Sequence, residues 1–128
     1  STSITEVKLV GGFVTAHLEQ QPQGWTMTAG VLTGRWKVAD LFAMIGTLED
    51  NDEPICTDHA LYEPVKNILC NFPDITADVS GAAAPCDALS FGMGFEARPA
   101  HLGFILDTLQ TAVSPCPPAT DPANDTCG

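Results

Sequence analysis

Five cysteines, at positions 56, 70, 86, 116 and 127, carry the most definite chemistry in this chain of 128 residues. A structural zinc site wants close pairs such as C-x2-C, whereas the nearest spacing here leaves ten residues between Cys116 and Cys127. Cysteines at this density, two of them in a proline-rich tail, read instead as the disulfide framework of an exported protein. Geometry prunes the pairings. Cys56 and Cys70 flank an expected helix, and a rise of 1.5 Å per residue holds them roughly 21 Å apart. A disulfide needs Cα atoms within about 7 Å, so these two do not pair. Cys70 turns away from the apolar stripe of that helix toward the loop that follows, where Cys86 is the nearest candidate. Cys116 and Cys127 can close the tail into a short ring. That leaves Cys56 unpaired, buried or bonded to another chain, although spacing alone does not fix connectivity.

Acid–base and nucleophilic chemistry have less to stand on. His17, His59 and His101 lie in three different elements, with no H-E-x-x-H and no shared helix face. Neither Ser80 nor Ser90 sits in a G-x-S-x-G elbow. Glu49, Asp50, Asp52 and Glu53, with Asn51, form one carboxylate cluster; Asp121, Asn124 and Asp125 form a second beside Cys127. The first lacks the alternating spacing and turn glycine of a calcium loop. Either cluster could hold calcium weakly, against a default of solvated acidic loops. No cofactor is indicated: Gly11-Gly12 and Gly92-Met93-Gly94 fall inside expected strands, where they cannot cradle a phosphate ahead of a helix. Asn124-Asp125-Thr126 is a formal glycosylation sequon.

The candidate contact residues are therefore aromatic rings and bare backbone. Trp25 and Trp36 bracket one expected strand. An exposed tryptophan on a β face can stack a sugar or anchor a protein partner; two half-buried core aromatics is the blander reading. Gly92 and Gly94 share one face of another strand and leave a flat track of backbone, suited to a close ligand or simply to curvature.

Hydrophobic periodicity supplies the elements that position these groups. From Glu6 to Glu19 the chain alternates, with Val7 and Leu9 on one face. After Gly11-Gly12 the parity flips to Val14, Ala16 and Leu18, as a β-bulge at glycine requires. Residues 20–24 turn, and Trp25, Met27, Ala29 and Val31 then share a face. A second phase change near Gly30 selects Leu32, Gly34 and Trp36, and folding the hairpin sets the two glycine sites nearly opposite. Leu89, Phe91, Met93, Phe95 and Ala97 alternate strictly through Arg98, a third strand with one buried face. Val14, Leu18, Phe91, Met93 and Phe95 are the expected buried residues of this sheet. Val38, Leu41, Phe42, Ile45 and Leu48 recur at helical spacing, with Phe42 and Ile45 as core anchors and an end near Gly46. A second helix follows Cys56, capped by Thr57 or Asp58, and buries Leu61, Val65, Ile68 and Leu69. Pro64 falls in its first turn or kinks it. Residues 73–88 read as a long loop, and Pro99 opens a third helical pattern through Leu102, Ile105, Leu106, Leu109 and Val113.

The sum is an α+β fold: a small antiparallel sheet built on a long bent hairpin, helices packed on one face, stabilised by disulfides. Residues 1–114 form the single domain, and residues 115–128 a Pro-rich, Cys-clipped tail. The length suffices for one core, burying roughly two-thirds of the unfolded surface. Sixteen carboxylates against five Lys and Arg give a net charge of −11, which disfavours nucleic acid and anionic membranes as partners. No apolar run reaches the length of a membrane span, so no membrane insertion is expected. The first residues carry no signal-peptide features, which fits a cleaved precursor and equally an excised segment. These features point to an exported, non-enzymatic module, extracellular, cell-surface or periplasmic. It binds a protein partner or self-associates into a surface assembly. The alternative is a small secreted hydrolase using carboxylate or His acid–base chemistry. A pocket joining a His or carboxylate pair would favour the hydrolase, and a flat apolar or glycine-lined patch the module.

Overall fold

The computed structural model describes residues 6–81, 83–100, 103 and 112–128. In chain order the elements are β1 (Val10–Gln21), β2 (Gly24–Lys37), α1 (Val38–Ile45), β3 (Glu49–Asp50), β4 (Glu53–Pro54), α2 (Tyr62–Asn71), β5 (Ala88–Ala97) and a 3-10 turn (Pro122–Asn124). The protein is α+β. β1, β2 and β5 form an antiparallel sheet in that order, and β3 and β4 form a separate two-stranded ribbon. Among the described residues no helix is long and apolar enough to cross a membrane.

Two bulges bend the β1–β2 hairpin. Val10 pairs with Arg35 and Phe13 with Thr33, so Gly11 and Gly12 together face Gly34. Gly11 adopts φ +59°, the left-handed conformation of a bulge residue, and a Cβ there would meet Val79 Cγ1 at 2.8 Å. The second bulge lies in β2, where Thr15 pairs with Val31 and His17 with Thr28, leaving Ala29 and Gly30 against Ala16. The two sites are therefore offset along the hairpin rather than opposite one another. Glycine is required at position 30 because the Phe95 ring lies over it, 2.7 Å from where a Cβ would stand.

Residues paired across an antiparallel ladder share a face. Val14, Leu18, Trp25, Met27, Leu32 and Trp36 thus lie on one side with Leu89, Phe91, Met93 and Phe95 of β5. Val31 falls on the opposite side with Phe13, Thr33, Gly92 and Gly94, because the bulge intervenes between it and Met27. There Arg35 Nη1 donates to the carbonyls of Thr76 and Asp78, at 2.8 and 2.7 Å, and fastens the loop of residues 74–80 across one end of the face. That loop also touches β5: Ile75 bridges Ala88, and the Asp74 carboxylate accepts from the Ser90 amide at 2.7 Å and from the Ser90 hydroxyl.

The core sits elsewhere. Val38, Phe42 and Ile45 of α1 pack with Tyr62 of α2, backed by Ile55, Val65, Leu69 and Cys70, and the Phe42 and Tyr62 rings lie 6.3 Å apart. The tail closes this core: Pro122 is fully buried, and Gly46 admits Ser114 and Asp121 where a Cβ would clash at 2.9 and 3.1 Å. Three expectations change. Val14, Leu18 and Met93 are exposed, and Phe91 and Phe95 only partly buried, because α1 and α2 bury their apolar stripes on each other and the tail. Leu61 and Ile68 are likewise exposed, and fully buried Tyr62 leads the α2 stripe instead. Leu48 lies past the end of α1 and is exposed. Pro64 is accommodated in the first turn of α2, where its missing N–H has no intrahelical partner to lose. The helix expected from Pro99 lies largely outside the described residues, as does His101; Val113, at its end, is exposed.

The cysteines pair as Cys56–Cys116 and Cys70–Cys127, with Cys86 free and exposed. This corrects the expected pairs Cys70–Cys86 and Cys116–Cys127 and exchanges the roles of Cys56 and Cys86. The reason is the path of the tail, which runs back along the helices instead of folding on itself. It is cross-linked once before α2 and once near its C-terminal end. Cys56, ahead of α2, and Cys70, in its last turn, do not pair.

Candidate interaction surface

Apolar side chains on a strand face are driven to find cover, since each buried large side chain contributes about 1.5–3 kcal/mol. Here the driving force is left unspent on one face. Val14 is 63% exposed, Leu18 54%, Trp25 56%, Met27 38% and Met93 48%. The face carries no Lys, Arg, Asp or Glu at its paired positions. Isolated apolar residues are ordinary on a protein surface, but a contiguous patch is not.

The tryptophans divide between two roles. Trp36 packs edge-on against Phe91, centroids 5.6 Å apart at 84°, and is partly buried. Trp25 shares its face, brought into phase by the Ala29–Gly30 bulge, and stands open beside Met27 and Leu18 near the hairpin turn. Gly92 and Gly94 lie on the other side of the sheet. A Cβ on Gly92 would meet nothing within 4 Å, and one on Gly94 only the Gly30 carbonyl oxygen at 3.8 Å. The four expected contact residues therefore do not converge on one site. The surface comprises Trp25 with Val14, Leu18, Met27 and Met93, four residues the sequence assigned to the core or left without a role.

The titratable groups are spread out. His17 lies 3.9 Å from Glu19 on an exposed strand, and His59 Nδ1 accepts from the Leu61 amide at 3.2 Å. Asn51 and Asp52 occupy the β3–β4 turn, with φ +51° and +67°. Asp121 Oδ1 accepts from the Ala123 amide at 3.0 Å and so caps the 3-10 turn. Among the described residues no three His, Cys, Asp or Glu side chains gather to hold a metal ion.

Asp125 is the exception in its connections. Its Oδ2 accepts from Lys66 Nζ at 2.7 Å and from the Tyr62 hydroxyl at 2.8 Å. The Lys66 hydrogen bond, then that of Tyr62, holds the Asp125 carboxyl below the usual carboxylate range. Burial, and secondarily the Asp125 carboxylate, pushes the Tyr62 phenol well above its ordinary value. The group clamps the tail to α2, which is a structural task. Tyr62 and Lys66 were missed, although their i, i+4 spacing places them on one helix face.

No protein-family model, curated protein or solved structure matches the chain.

Proposed function

We propose that this chain is an exported, non-enzymatic module that self-associates into an extracellular or surface assembly. Its apolar sheet face is the docking surface, and a second copy is the occupant. The observation that carries this reading is the uncharged face of Val14, Leu18, Trp25, Met27 and Met93, uncovered by either helix. One further feature supports it. The outer edge of β1 has no strand partner among the described residues, and β1 contains neither proline nor lysine to block edge pairing. Export is supported by the two disulfides, which persist in oxidising compartments.

Light scattering on the purified protein, from low micromolar to millimolar concentration, tests the reading. We expect a dimer or larger species that Trp25→Ser with Met93→Thr converts to monomer. Added salt strengthens the association, because it screens repulsion between copies each carrying a net charge of −11. A protein that stays monomeric across the whole range overturns self-association.

A further inference from the structure

We infer that Cys86 and the Cys70–Cys127 disulfide form a thiol–disulfide exchange site, from which Cys56–Cys116 is excluded. All three of the site's cysteines line one cavity of about 290 Å³, between the end of α2, the start of α1 and the tail, with Phe42 and Pro73 among its apolar walls. Cys86 is an exposed free thiol, and Cys127 is exposed as well. Cys56 and Cys116 are buried, so their bond is shielded from thiols relative to Cys70–Cys127. Exposed disulfides are the exchangeable ones, and a neighbouring thiol is the reactant they require.

The exchange balances without an outside oxidant. Cys86 gives its proton to water, and the thiolate attacks Cys70 Sγ. The Cys70–Cys127 bond breaks as the Cys86–Cys70 bond forms, and Cys127 leaves as a thiolate that takes a proton from water. One disulfide and one thiol stand on each side of the step. Cys127 is the leaving sulfur because it is the more exposed of the pair. The exchange moves the tether on α2 from the tail to the segment entering β5. The tail is then held by Cys56–Cys116 and the Asp125 contacts, and a new exposed thiol is available at Cys127. Lys37, Asp87 and Asp125 also line the cavity, so one cation and two carboxylates share it with the reacting cysteines.

The test is to incubate the native protein at mildly alkaline pH without added thiol, quench in acid with a maleimide, and map peptides under non-reducing conditions. The expected result is a Cys70–Cys86 peptide appearing together with maleimide on Cys127. Its rate should rise with pH, because the thiolate is the nucleophile, and be independent of protein concentration. Cys86→Ser should abolish it and leave Cys56–Cys116 intact. Label confined to Cys86 at all times overturns the inference. So does a rate proportional to protein concentration, or scrambling of Cys56–Cys116 at the same pace.

Discussion

Asp125 gathers two hydrogen bonds on one carboxylate oxygen, and the consequence is a pH dependence with a definite sign. Its carboxyl titrates below the ordinary carboxylate value because Lys66 and Tyr62 both donate to it in the folded state. A depressed native value contributes stability that is present above the unfolded value, about 3.9, and lost as pH falls through the folded one. Thermal unfolding should therefore show Tm falling below about pH 4, and less steeply in Asp125→Asn. Asp125→Ala strands the buried Tyr62 hydroxyl without its acceptor and should cost about 1–3 kcal/mol at neutral pH. A neutral Asp125→Ala would mean the clamp carries no stability. In the sequence Asp125 is one carboxylate in an acidic tail cluster, and that composition suggests calcium. Its partner Tyr62 lies 63 residues away, a distance no local pattern spans. Only the Tyr62–Lys66 half of the group is legible before folding.

The β3–β4 ribbon shows the same limit and an advantage. Asn51 and Asp52 both take positive φ between strands of two residues each, which is a type I′ turn. Asp52→Gly should stabilise the protein by a few tenths to about 1 kcal/mol, since glycine adopts this conformation without steric penalty. Asp52→Ala should cost about 1 kcal/mol, because alanine lacks the short polar side chain that eases the left-handed region. Equal denaturation midpoints for the two variants would refute the turn assignment. The run Glu49–Pro54 reads as an acidic loop because it has no apolar alternation to announce a strand. The hairpin was legible for the opposite reason: parity changes at Gly11-Gly12 and near Gly30 leave a record in side-chain type, and both became bulges. α2 was half legible. Its period was right, but the side facing the core was chosen by Tyr62 and the tail, so Leu61 and Ile68 ended exposed.

At the scale of the molecule, the sequence offers enough apolar residues for one core, yet many of them stand on the open sheet face. The packed cluster is small, and the tail completes it without a regular helix or strand of its own, so covalent closure must carry a large share of stability. Cys56–Cys116 closes a span of 60 residues and Cys70–Cys127 a span of 57, so loop-closure entropy predicts about 4 kcal/mol for each. The two differ in burial. Cys56 and Cys116 are core residues, whereas Cys127 is exposed, so removing the first bond also leaves packing defects. Replacing Cys56 and Cys116 together by alanine should lower Tm on the order of 15–20 °C; the same change at Cys70 and Cys127 should lower it by roughly 10–15 °C. The second variant retains the Asp125 clamp and keeps the tail seated, so Tyr62 should stay protected in hydrogen exchange and tyrosine fluorescence. The first releases Pro122 from α1 and should expose Phe42 and Tyr62 to solvent together. If the Cys70–Cys127 variant were the less stable of the two, the tail would be held chiefly from its far end, where Cys70 packs against the Phe42 core cluster.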